Sequence, residues 1–125
     1  MFIRWQSRKH TERCSYLGDH NDVHWRADLV ESIRVDGKPR QRHIAYLCGF
    51  TEQQFKDKHT GKVREAQQLY VWEHALDCLD RLHNRITNED RERIETVLAA
   101  RIGTPKPTRE AIEAQHAYVR EKWGG

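Results

Sequence analysis

Trp25-Arg26-Ala27-Asp28-Leu29-Val30-Glu31-Ser32-Ile33-Arg34-Val35-Asp36-Gly37-Lys38-Pro39-Arg40-Gln41-Arg42-His43-Ile44-Ala45-Tyr46-Leu47 is the stretch that decides the fold. Before Asp36, Trp25, Ala27, Leu29, Ile33 and Val35 fall on one side of an extended chain, interrupted by Glu31. Arg26, Asp28, Ser32 and Arg34 fall on the other, with Val30 as the exception. Such near-alternation marks a strand with one buried face. Asp36-Gly37 between two β-like runs is a hairpin signal, because glycine accepts a positive φ. Pro39 lacks an N–H and belongs at the start or edge of the next strand. That strand is predicted over 40–48, with Ile44 and Tyr46 on the face of Arg40 and Arg42, and Ala45 and Leu47 with Gln41 and His43.

Working outward, residues 2–9 read as a first strand, with Phe2, Ile3 and Trp5 among Arg4, Gln6 and Arg8. Residues 10–23 are polar and contain Gly18-Asp19-His20-Asn21-Asp22, a loop signal. After residue 50 the period changes. Thr51-Glu52-Gln53-Gln54 has capping-box spacing, and His59-Thr60-Gly61 reads as a turn. Steps of three and four from Val63 to Ile86 predict a long helix over 62–86. Thr87 with Asp90 caps a second helix through Ile94, Val97, Leu98 and Ile102, which Gly103 and Pro105 end. Thr108 caps a third, with Ile112, Tyr118 or Val119, and Trp123 turned inward. The predicted fold class is α+β in one domain over 1–125: a three-stranded antiparallel meander over 1–50 packed on two or three helices over 51–125.

A chain of 125 residues with 37% hydrophobic and 33% charged residues is long enough for a core of its own. No apolar run approaches the roughly 20 residues of a membrane span, and the start carries no apolar secretory signal. Cys14, Cys48 and Cys78 are an odd number without a CxxC, which points to a reducing compartment, the cytoplasm. The formal net charge of +3 lies wholly in residues 1–50, which hold nine Lys/Arg against six Asp/Glu; residues 51–125 hold thirteen of each. That asymmetry suggests a face for something anionic.

The candidate binding residues are therefore Arg26, Arg34, Lys38, Arg40, Arg42 and His43. A two-stranded ribbon can enter a groove or lie along phosphates, and arginine forks hold phosphate bidentately. The same cations also discourage edge-to-edge aggregation or recognise an acidic protein surface, so three readings stay open. A continuous stripe of Arg26, Arg34, Arg40 and Arg42 on the wet face favours the polyanion; pairing with Asp28, Glu31 and Asp36 disfavours it. Cys14, His20 and His24 include ligand types for zinc, but a fourth ligand is lacking and the segment reads as a polar loop, so no metal or other cofactor is expected. No Gly-rich phosphate loop, GxSxG or HExxH is present, and no motif ties a Cys to a His, so no enzyme is expected. His74 and Asp77 have the spacing of a surface pair. Trp5, Trp25, Trp72 and Trp123 are read as the core that joins sheet to helices, with base stacking, as in single-strand-binding proteins, as the alternative.

The run from Leu29 to Leu47, preceded by a basic first strand and followed by Cys48-Gly49, resembles a segment near the N-terminus of DDE-class insertion-sequence transposases. The resemblance covers residues 2–49 and rests on the turn, the basic cluster and the terminal Leu-x-Gly. Those transposases continue into an RNase H-like domain with catalytic carboxylates, where this chain has helices. The resemblance thus implies mobile-element ancestry and DNA contact, and not strand transfer. The expected function is a small accessory protein that binds nucleic-acid phosphates through the basic hairpin. The alternative is a protein-interaction module or mobile-element-encoded inhibitor; a homodimer through the helices fits either.

Overall fold

The computed structural model describes residues 1–9, 23–56 and 60–123. Three strands, β1 (Phe2–Lys9), β2 (Val23–Val35) and β3 (Lys38–Thr51), form an antiparallel sheet in the order β1-β2-β3. A 3₁₀ turn over Glu52–Phe55 leads to α1 (Glu65–Arg81), α2 (Asn88–Ile102) and α3 (Arg109–Trp123). This is the expected α+β meander with three helices. The polar segment 10–22, with Cys14 and His20, lies outside the described residues.

The helices cover one face of the sheet. Ala27, Leu29, Leu47, Cys48 and Phe50 from the strands meet Val71, Trp72, Ala75, Leu76 and Leu79 of α1, with Ile94, Leu98 and Ile102 of α2 and Ile112 of α3 completing the core. Trp72, Leu29, Leu47, Leu79 and Leu98 are sealed from water, and each such side chain contributes roughly 1.5–3 kcal/mol. The buried indole of Trp72 keeps its N–H satisfied by donating to the Thr104 carbonyl and hydroxyl at 3.3 and 3.2 Å. The predicted caps form. Thr87 Oγ1 accepts from the Asp90 N–H and Thr108 Oγ1 from the Ala111 N–H, at 3.0 and 3.1 Å. Gly103 ends α2 at φ +90°, where a side chain would be strained.

Two helical expectations need correction. The predicted helix over 62–86 is shorter at both ends. An isolated bridge pairs Val63 with Lys56, and the Arg64 N–H is drawn to the Phe55 carbonyl, which keeps this entry extended. At the far end Leu82 tucks under the core and its N–H bonds to the Leu79 carbonyl, closing α1 in a tight turn. In α3 only Ile112 is buried. Tyr118 and Val119 are half exposed, and Trp123 is 77% exposed instead of turned inward. No helix among the described residues is long and apolar enough to cross a membrane.

Candidate nucleic-acid interface

β1 ends its pairing at Phe2 opposite Val30, while β2 and β3 continue together through Glu31↔Arg42, Ser32↔Gln41, Ile33↔Arg40, Arg34↔Pro39 and Val35↔Lys38. Five residue pairs at about 3.4 Å each make a two-stranded ribbon that overhangs the sheet by about 17 Å. Asp36 at φ +53° and Gly37 at φ +77° close it; two successive positive φ values make the mirror-image turn whose twist matches the strands. From Lys38 to Arg42 every side chain is exposed, and in the overhanging part of β2, residues 31–35, only Glu31 and Ile33 are partly covered.

Facing residues across an antiparallel pair share a side. Arg34 and Pro39 therefore lie with Ser32 and Gln41 on the face that continues the wet side of the sheet. Lys38, Arg40 and Arg42 lie on the opposite face with Val35, Ile33 and Glu31. The expected single stripe of Arg26, Arg34, Arg40 and Arg42 is thereby corrected. The cause is the two-residue turn, which pairs Val35 with Lys38 and so sets each even-numbered residue of β2 opposite an odd-numbered residue of β3 along the ribbon. Nearer the sheet, register shifts between Ala27 and Asp28 and between Leu29 and Val30 leave Leu47 and Ile44 as extra residues of β3; the two insertions cancel, so only Ala45 and Tyr46 between them change face. Tyr46 and His43 consequently share the wet face, while Ala45 joins the core side.

At the root of the ribbon the six candidate residues divide. Asp28, 1% exposed, is gripped by Arg26, whose Nε donates to both carboxylate oxygens at 3.0 and 2.9 Å, and by His43, whose Nε2–H donates at 2.9 Å. Burial alone would push this carboxyl up. The hydrogen bonds from Arg26 and His43, with the charge they carry, outweigh it and hold Asp28 below the ordinary aspartate range. Arg26 also stacks its guanidinium over the Tyr46 ring at 4.8 Å, and the Asp28 hydrogen bond raises its own pKa further. Arg42 is paired with Glu31. Arg34, Lys38 and Arg40 make no ion pair with any described residue, so the uncompensated charge sits at the outer end of the ribbon.

Two cations escaped the candidate set. Arg4 and Arg8 alternate with Trp5 along β1 and stand on the wet face; Arg4 reaches across to Gln41 Oε1 at 3.2 Å, bracing the ribbon root. Arg8 lines a broad depression there with Gln6, Ser7, His24 and Arg26. The alternation of β1 carried the signal.

The other candidates are placed as follows. His24 lies on β2, and among the described residues no three His, Cys, Asp or Glu side chains cluster to hold a metal ion. Burial pushes the Cys48 thiol up to about 12, and burial also raises Cys78, so neither environment favours a thiolate. His74 does not pair with Asp77; its Nδ1–H donates to the Leu47 carbonyl at 2.9 Å, tying α1 to β3, while Asp77 accepts from Arg109. Trp5 and Trp25 pack edge to face at the rim of the core under the Arg101 guanidinium, 3.9 Å from the Trp25 ring, so they are not presented for base stacking. Compared with known proteins, the chain matches no family model, no curated protein and no solved structure.

Proposed function

We propose that this chain is a small, non-enzymatic accessory protein of mobile-element ancestry that binds nucleic-acid phosphates through the ribbon of residues 31–42. The observation that carries the reading is the overhang itself: Arg34, Lys38 and Arg40 stand exposed beyond the last residue pair of β1 and β2, with no carboxylate partner among the described residues. Buried or paired cations stabilise a fold, whereas cations held on a rigid strand and left unpaired keep their full attraction for an anion. Ancestry rests on the transposase-like hairpin sequence alone.

Fluorescence anisotropy of a labelled oligonucleotide across a salt series tests the proposal. Three phosphate contacts give a slope of about −2.7 in log K against log salt, which is about 40-fold in affinity between 50 and 200 mM. The triple variant Arg34→Ala/Lys38→Ala/Arg40→Ala should abolish that dependence. Absence of binding at low salt, or a triple variant that binds like the parent chain, rejects it.

A second reading, docking on a protein partner, is favoured by one feature of the helices. An apolar groove of about 340 Å³ runs between α1 and α3, floored by Leu69 and Ile112 and flanked by Tyr70 and Val119. Partners that survive nuclease treatment in a pull-down, and are lost on Val119→Glu, support this reading; loss of all partners with nuclease removes it.

A further inference from the structure

Resting on the phosphate-binding reading, the geometry points to one class of nucleic acid, B-form duplex DNA, with the ribbon seated in the major groove and its two faces turned to the two flanking backbones. Three observations converge. The first is that the unpaired cations occupy both faces, Arg34 on one and Lys38 with Arg40 on the other. A flat phosphate surface, or the single backbone of one strand, meets one face and leaves the other in water. Two backbones on either side of an inserted ribbon meet both.

The second is size. A β layer with its side chains is about 10 Å thick, as the spacing of packed sheets shows. The B-DNA major groove is about 12 Å wide and admits a two-stranded ribbon, whereas the minor groove, about 6 Å wide, does not. The major groove of A-form RNA is deep and narrow, closed to such an element. The overhang of about 17 Å is long enough to follow the groove, and residues 38–42 are exposed along it. Along β3, Lys38, Arg40 and Arg42 recur about every 6.8 Å, twice the axial rise per phosphate of one strand.

The third is composition. Residues 31–42 contain no aromatic side chain, so the ribbon has no platform for stacking unpaired bases, the usual device of single-strand and RNA-loop recognition.

The test compares one sequence as duplex DNA, duplex RNA and single-stranded DNA, with binding read by anisotropy at fixed salt and guanine N7 protection from dimethyl sulfate read on the duplex. Expected are an affinity for duplex DNA at least about tenfold above the other two forms, and N7 protection where the ribbon lies. Arg34→Ala should flatten the salt slope by about 0.9 and Lys38→Ala/Arg40→Ala by about 1.8. These side chains are solvent-exposed, and circular dichroism verifies that each variant keeps its fold. Equal affinity for the three forms, a loss confined to one face, or salt-dependent binding without N7 protection overturns the groove assignment and leaves phosphate binding standing. No binding to any form overturns both.

Discussion

Replacing Asp28 by Asn tests the electrostatic knot on which the ribbon stands. The amide keeps the shape of the carboxylate and its oxygen can still accept at the Oδ1 position, but the charge is lost and an NH₂ at the Oδ2 position cannot accept the second bond that Arg26 Nε donates, so the bonds from Arg26 and His43 no longer meet an anion. Hydrogen bonds to a charged group contribute about 1.5–3 kcal/mol. The partners are half exposed, 49% for Arg26 and 47% for His43, and regain water when released, so the lower half of that range applies. A loss of about 1.5–2 kcal/mol lowers Tm by roughly 5–10 °C in a domain of this size. The pH dependence carries the sign. Asp28 is depressed in the folded state, so its contribution is present above the unfolded aspartate pKa near 3.9 and is lost as pH falls through the folded value. The gap in Tm between parent and Asp28→Asn, measured by thermal melts followed by circular dichroism, should therefore be constant from about pH 7 to 5 and shrink below about pH 4. Freed Arg26 should at the same time steepen the salt slope of polyanion binding by up to about 0.9. An unchanged Tm at pH 7, or a gap that persists undiminished in acid, refutes the assignment of Asp28 as the ionised anchor.

Gly37→Val places a β-branched side chain at φ +77° and should destabilise the turn by about 1–2 kcal/mol, read as faster hydrogen exchange of the ribbon amides with little change in global Tm. Leu79→Ala removes a side chain sealed between α1 and the sheet, and chemical unfolding should report a loss of about 2–5 kcal/mol. Cys48, with its thiol pushed up to about 12, should resist a thiol reagent at pH 8 in the native protein and react only on unfolding, whereas partly exposed Cys78 reacts first; equal native rates contradict the burial.

Most of the scaffold was legible because its signals are local. Asp36-Gly37 specifies its turn by backbone sterics, and Thr87 and Thr108 announce helix starts by offering a hydroxyl three residues ahead of a free N–H. Even Thr51–Gln54 behaves as spaced, with Gln54 Oε1 accepting from the Thr51 N–H, though it opens only a 3₁₀ turn. What could not be read was non-local. A bulge leaves no mark on a single strand, since Ile44 and Leu47 become extra only relative to β2, and so Ala45 and Tyr46 came out on the wrong faces; the side of Arg40 and Arg42 depends instead on pairing across the two-residue turn, Val35 with Lys38. Asp28 reads as one more polar residue on a wet face until the fold brings His43 and Tyr46 over it. Trp123 looks like core by its chemistry, but α3 is tied to α1 through Arg109 and through His116, which bonds to Glu73, and Trp123 lies about two turns beyond His116 at 77% exposure.

The overhanging ribbon has a consequence for handling the protein. From Glu31 to Val35 the outer rim of β2 offers main-chain donors and acceptors with no strand neighbour among the described residues, a template onto which another molecule's strand can zip. The net positive charge of residues 31–42 opposes the pairing of two such rims. Concentrated stocks should therefore stay clear at low ionic strength and turn turbid when salt screens the tips, the reverse of ordinary salting-in.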